Sequence, residues 1–113
     1  MLKACHKGFN PEYEEEGPTI DQLKGLAGFA VLEFGAPWCG HCRAALPAIK
    51  AVLSERALPH IKIFDGPGKP LGRSFKVKLW PTLILLQSGV EVARLVRPVD
   101  VKEVTDLLSS VDH

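Results

Sequence analysis

The sequence predicts one α/β domain built on a mixed β-sheet with helices on both of its faces. Three observations lead there. Short apolar runs at residues 29–34 and 60–65 flank a segment with helical apolar spacing, the order that makes a covered sheet. Two further runs, 82–87 and 91–96, are joined through Gln87-Ser88-Gly89-Val90, a hairpin signal, and a last helical stripe follows them. At 113 residues, finally, the chain closes a single core comfortably and two cores poorly.

Taken in order, residues 8–18 hold two prolines, two glycines and the run Glu14-Glu15-Glu16, which reads as a solvated connector because charge runs usually face water. Thr19 can cap a short helix through about residue 27, with Asp21 well placed in its first turn. Residues 29–34 then form a mostly buried strand. The helix that starts near Cys39 and runs to about residue 56 carries Cys42, Leu46, Ile49 and Leu53 at spacings of 4, 3 and 4, one apolar stripe. Pro47 lies inside it, removes one backbone bond and should bend its axis. Residues 60–65 place Ile61 and Ile63 on one strand face. A turn at 66–70 and a short helix at 71–75 lead to the hairpin. The closing helix begins near Asp100 with the stripe Val101, Val104, Leu108 and Val111.

Composition excludes several function classes. Net charge is +1, from 14 basic and 13 acidic residues, which gives no field for nucleic acid or an anionic membrane. No apolar stretch approaches the roughly 20 residues of a membrane span. Residues 1–7 lack an apolar secretory run, so the expected location is cytoplasmic. Three cysteines are too few for a disulfide scaffold, and their spacing singles out Cys39 and Cys42.

Two cysteines separated by two residues, where a strand gives way to a helix, suit thiol–disulfide exchange. The i, i+3 spacing brings the sulfurs within bonding reach, and the helix start offers unpaired N–H groups that favour thiolate on the first. The stripe turns Cys42 inward and leaves Cys39 beside solvent, so Cys39 is the expected attacking sulfur and Cys42 the resolving one. His41, between them, is expected to stabilise the Cys39 thiolate electrostatically and make the pair more oxidising.

The segment 32–43, with Ala36-Pro37-Trp38-Cys39-Gly40-His41-Cys42 at its centre, resembles the active-site segment of the thioredoxin superfamily, and its Cys-Gly-His-Cys core is similar to that of protein disulfide isomerase domains. Pro47 matches the family's helix-bending proline, and Pro81, in Trp80-Pro81-Thr82, its cis-proline. The likeness runs over residues 19–113. Residues 1–18 match poorly and are set apart as an N-terminal extension or a variant first strand at 2–6. The resemblance implies a thioredoxin fold and exchange through a mixed disulfide on Cys39, resolved by Cys42. It also implies that Glu33, six residues before Cys39, is the buried acid that accepts a proton from the resolving cysteine. Trp38, Gly40, Trp80, Pro81 and Arg97 are the substrate-binding residues it implies. Protein disulfides would be the substrates, a thioredoxin-reductase-like protein the electron donor, no cofactor or metal would be needed, and the chain would act as a monomer.

The sequence also departs from the family. Gly35 stands where thioredoxins often carry tryptophan and the isomerases tyrosine, which is expected to open the surface beside the site. Trp80 is bulkier than the usual aliphatic residue, and Arg97-Pro98 replace small ones. The family's lysine partner for the buried acid has no clean counterpart, Lys62 being expected on the face opposite Ile63 and away from it. Competing readings are a zinc site using Cys5, His6, Cys39 and Cys42, which leaves the helix-start placement and Pro81 unexplained, and a binding module whose cysteines are regulatory.

Overall fold

Five strands form one sheet, ordered β1-β3-β2-β4-β5, in a computed structural model that describes residues 5–15 and 17–112, with side chains described for 8–15 and 17–111. They are β1 (Cys5–Lys7), β2 (Phe29–Gly35), β3 (Pro59–Phe64), β4 (Thr82–Gln87) and β5 (Val90–Val96). The helices are α1 (Ile20–Lys24), α2 (Gly40–Leu53), α3 (Pro70–Ser74) and α4 (Val101–Leu107), the last continued by a 3-10 turn at Ser109–Asp112. β2 pairs parallel with β3 and antiparallel with β4, while β1–β3 and β4–β5 are antiparallel, so the sheet is mixed as expected.

Period-two alternation sorts the strand side chains into two cores. Val31, Leu83 and Leu85 meet α2 and α4 on one face, with Ala45, Ile49, Val52, Leu53, Val104 and Leu108. Leu32, Phe34, Ile61, Ile63, Ile84 and Leu86 meet Leu23 of α1 and Leu71 of α3 on the other. The parity of β2 therefore sends Glu33 and Gly35 toward α2, and that of β3 sends His60 and Lys62 the same way.

Helix ends follow local chemistry. Thr19 and Gln22 form a reciprocal capping box, Thr19 Oγ1 accepting from the Gln22 N–H at 3.1 Å and Gln22 Oε1 from the Thr19 N–H at 2.9 Å. α1 stops at Lys24, short of residue 27, because the Gly25 and Leu26 N–H groups turn back onto carbonyls at its end. Two stripes need correction. Leu46 is 37% exposed, while the other three expected positions, Cys42, Ile49 and Leu53, are buried and are joined by Ala45, Ala48 and Val52. In α4, Val101 at the first position is exposed and Leu107 is buried in its place. The Ser88-Gly89 link has φ of 51° and 81°, two left-handed residues that fit the twist of a tight hairpin.

The largest difference lies before α1. Residues 8–15 are not simply a solvated connector: after β1 they turn back along the edge of β3 that faces away from β2. The described end of the segment, Cys5–Lys7, is a strand, and residues 2–4 of the expected 2–6 strand lie outside the described residues. After it, the Asn10 side chain accepts from the Glu12 N–H at 3.0 Å and turns the chain. Glu14 then makes a parallel bridge to Ile63, its N–H donating to Lys62 O and its carbonyl accepting from the Phe64 N–H. Asn10 is fully buried.

Candidate active site

β2 ends at Gly35, and a short turn delivers Cys39 to the start of α2. Cys39 is the N-cap: its Sγ accepts the Cys42 N–H at 3.2 Å, taking up one of the orphan donors of the first turn. Cys39 is half-buried and Cys42 is 5% exposed, and both are free thiols. Burial, and then donation of its S–H to Cys39, push the Cys42 thiol up to about 12, against the opposing pull of the Ala36 N–H and the Tyr13 hydroxyl, which both donate to its sulfur.

Glu33 is buried on the sheet face that meets α2, lines one cleft with Cys42, and has a histidine as its partner. His60 Nε2 lies 2.8 Å from Glu33 Oε1 with both side chains shut off from solvent. The Asn10 backbone N–H lies 2.8 Å from His60 Nδ1. A backbone N–H only donates, so Nδ1 must accept, and the ring proton sits on Nε2, where it is donated to Glu33. Asn10 Nδ2 completes the link by donating to His60 O at 3.0 Å.

Lys62 is the Cα partner of Glu33 across β2–β3, which corrects the expectation that it points away from the acid. Strand parity explains the error: pointing away from Ile63 means pointing toward Glu33. Its ammonium group does not bond the acid among the described contacts. It donates to Pro11 O at 3.3 Å and sits 4.2 Å from the centre of the Tyr13 ring.

Gly35 does not leave an opening either. A β-carbon there would lie 2.7 Å from Cys42 Sγ and 3.0 Å from the Tyr13 hydroxyl oxygen, so the aromatic group missing from the strand is supplied by residue 13. Burial, followed by the charge on Glu33, raises the Tyr13 phenol well above its usual range. Tyr13, Glu33, Cys42, Lys62, Phe9 and Pro11 line a cleft of about 660 Å³ together with the exposed α2 residues Arg43, Leu46 and Lys50. Tyr13, His60, Lys62 and Asn10 are the residues that sequence reasoning missed. The signal for two of them was present: His60 and Lys62 are polar at the parity of β3 that faces Glu33.

Around Cys39, Trp38 is 62% exposed and packs edge-on against Phe64 at 5.0 Å. Gly40 and His41 are the first two residues of α2, both exposed. The Trp80–Pro81 bond is cis, as expected. The Trp80 indole N–H donates to buried Asp65 at 2.9 Å. Arg97 is half-buried: its Nε donates to Trp80 O at 2.9 Å, its backbone N–H donates to Pro81 O at 2.9 Å, and its φ is 52°. It braces the proline loop. Among the described residues no three His, Cys, Asp or Glu side chains are grouped to hold a metal, and the side chains of Cys5 and His6 lie outside them. No helix among the described residues is long and apolar enough to cross a membrane.

The family model described as Thioredoxin matches residues 18–111. A thioredoxin of Chlamydia pneumoniae is 37% identical over 87 residues, covering 74% of this chain and 82% of that one. The solved structure of thioredoxin 2 from Pseudomonas aeruginosa PAO1 in its reduced form is 46% identical, with a TM-score of 0.80 over 91% of this chain and 96% of that one. Protein disulfide-isomerase A2 of Mus musculus is 39% identical over 64 residues, 52% of this chain but 12% of that one.

Proposed function

Since the chain belongs to the thioredoxin family and is a thiol–disulfide oxidoreductase working through Cys39 and Cys42, we propose that Cys39 is its nucleophile and Cys42 the sulfur that resolves the mixed disulfide. The asymmetry of the two sulfurs carries this reading: Cys39 caps α2 where a substrate can reach it, while Cys42 lies behind it, 5% exposed and held as a thiol. Cys39 attacks a protein disulfide, one substrate sulfur leaves as thiolate, and a Cys39–substrate disulfide remains. Cys42 gives up its proton and attacks Cys39 Sγ. The Cys39–Cys42 bond forms and the second substrate thiolate departs.

Glu33, on the Cys42 side of the sheet, is the group that takes this proton, with His60 holding one carboxylate oxygen so that the other stays available. Trp38, Gly40, Trp80 and Pro81 form the surface that receives the substrate around Cys39, and Arg97 serves that surface by fixing the Trp80 carbonyl. His41, exposed in the first turn next to the cysteine pair, is the residue that favours the Cys39 thiolate electrostatically. On this reading the chain acts as a monomer. A thioredoxin-reductase-like protein returns electrons to the pair, in a reducing compartment such as the cytoplasm.

Insulin reduction and trapping test the assignment. Cys39→Ser should abolish turnover, whereas Cys42→Ser should accumulate a covalent substrate complex through Cys39. A trapped complex in the Cys39→Ser protein, or its absence with Cys42→Ser, would reverse the two roles.

A further inference from the structure

We infer that Tyr13 is a catalytic residue of the second half-reaction: its hydroxyl donates a hydrogen bond to the Cys42 sulfur as that sulfur becomes a thiolate and attacks Cys39. The inference rests on the proposed order of the two cysteines. It comes from geometry. The Tyr13 hydroxyl and Cys42 Sγ both crowd the space in front of Gly35 Cα, lying 3.0 Å and 2.7 Å from where a β-carbon would stand. Any larger residue at position 35 would displace one of them. The ring is held from the other side by the Lys62 ammonium at 4.2 Å, and Lys62 is itself anchored on Pro11 O. Backbone bonds of Glu14 to β3 fix the next residue of the segment. The hydroxyl is therefore positioned, not merely nearby.

Timing follows from what surrounds Cys42. In the dithiol, its S–H is donated to Cys39, which keeps the proton on Cys42. In the mixed disulfide Cys39 carries no charge, and that restraint is gone. What remains is burial, which opposes a thiolate, set against two donors, the Ala36 N–H and the Tyr13 hydroxyl. Tyr13 does not lose its proton in the step, because burial and the charge of Glu33 keep it a phenol. The proton of Cys42 leaves to a base, the electron pair of Cys42 forms the new S–S bond, and the substrate sulfur departs with the pair of the broken one. Tyr13 lowers the cost of the charge on Cys42 before that transfer.

The reaction of the reduced protein with an aromatic disulfide that releases a coloured thiolate separates the two steps. The first equivalent reports attack by Cys39 and the second reports attack by Cys42. Tyr13→Phe keeps the ring over Lys62 and removes only the hydroxyl. It should slow release of the second equivalent by about tenfold, move the pH profile of that phase upward and leave the first phase unchanged. Tyr13 is the sole tyrosine of the chain, so biosynthetic incorporation of fluorotyrosine alters this hydroxyl alone. A more acidic phenol is the stronger donor, and the second phase should quicken. An unchanged second phase, equal slowing of both phases in Tyr13→Phe, or a fluorinated protein no faster than the parent would overturn the inference, and the fluorinated protein keeps the test open if Tyr13→Phe fails to fold. Failure of the cysteine assignment would look different, since the first equivalent would then be lost in Cys42→Ser rather than in Cys39→Ser.

Discussion

Replacing His60 with leucine tests whether the acid that lines the cleft with Cys42 is held by a histidine. The two side chains are similar in bulk, so packing changes little and the polar contacts dominate. The substitution removes the donor 2.8 Å from Glu33 Oε1 and the acceptor 2.8 Å from the Asn10 N–H, at a position with no solvent to replace either. A buried polar group deprived of its partner costs about 1–3 kcal/mol, and more when it is charged, so the two contacts give about 2–6 kcal/mol. Against the 5–15 kcal/mol typical of a small domain, that is a large fraction. Urea unfolding of parent, His60→Leu, Glu33→Leu and the double variant measures both the cost and the coupling. Removing the histidine alone strands the acid, whereas removing both partners strands neither, so the double variant should be less destabilised than the two single losses added, by about 1 kcal/mol or more. A cost for His60→Leu below about 1 kcal/mol, or strict additivity, would refute the pairing.

Three other expectations follow from the site. Gly35→Ala should destabilise the protein by about 1–3 kcal/mol in urea unfolding, because its β-carbon overpacks Cys42 Sγ and the Tyr13 hydroxyl. Cys42, pushed up to about 12 in the folded dithiol, binds its proton more tightly folded than unfolded, so the reduced protein should lose stability as pH rises above the ordinary thiol range. The Cys42→Ser protein lacks that group but keeps Cys39, and the difference between its urea midpoint and that of the reduced parent at about pH 8 and about pH 10 isolates it; a constant difference would contradict the assignment. His41→Pro should be more reducing than a parent lying at about −250 to −200 mV, as equilibration with glutathione buffers measures, and a shift the other way would remove His41 as the source of the potential.

The site was legible wherever a residue's role is set by its immediate neighbours. Cys39 and Cys42 are fixed by spacing and by the strand-to-helix boundary, and the helix start at Thr19 by its own capping side chain with Asp21 in the first turn. Strand parity gave the two faces of the sheet. What escaped depends on contacts between distant segments. Gly35 reads as a missing side chain in its own strand, and nothing near it announces that residue 13 fills the space. Lys62 was misplaced although its parity was available, because the register of β3 on β2 had to be known before opposite Ile63 could mean beside Glu33. Leucine is more apolar than alanine, so apolar spacing alone runs the stripe of α2 through Leu46. The sheet lies close enough that Ala45 and Ala48 are buried instead, and Leu46 borders the cleft.

The two sulfurs differ most in what supports them, and that difference localises where this chain departs from a site built on a single strand and helix. Cys39 takes its described support from the helix start, through the Cys42 N–H. Cys42 takes part of its support from residues 9–15, which reach it only because β3 holds them. His60 belongs to both arrangements: its Nε2 steadies Glu33, and its Nδ1 and carbonyl hold Asn10, three residues before Tyr13. A change at His60 therefore reaches Cys42 by two routes, through the acid that takes its proton and through the segment that carries its hydroxyl donor. Loss of His60 should slow resolution of the mixed disulfide more than loss of Tyr13's hydroxyl alone, while attack by Cys39 is spared. Resolution in His60→Leu as fast as in the parent, in a protein that remains folded, would show that neither route passes through the histidine.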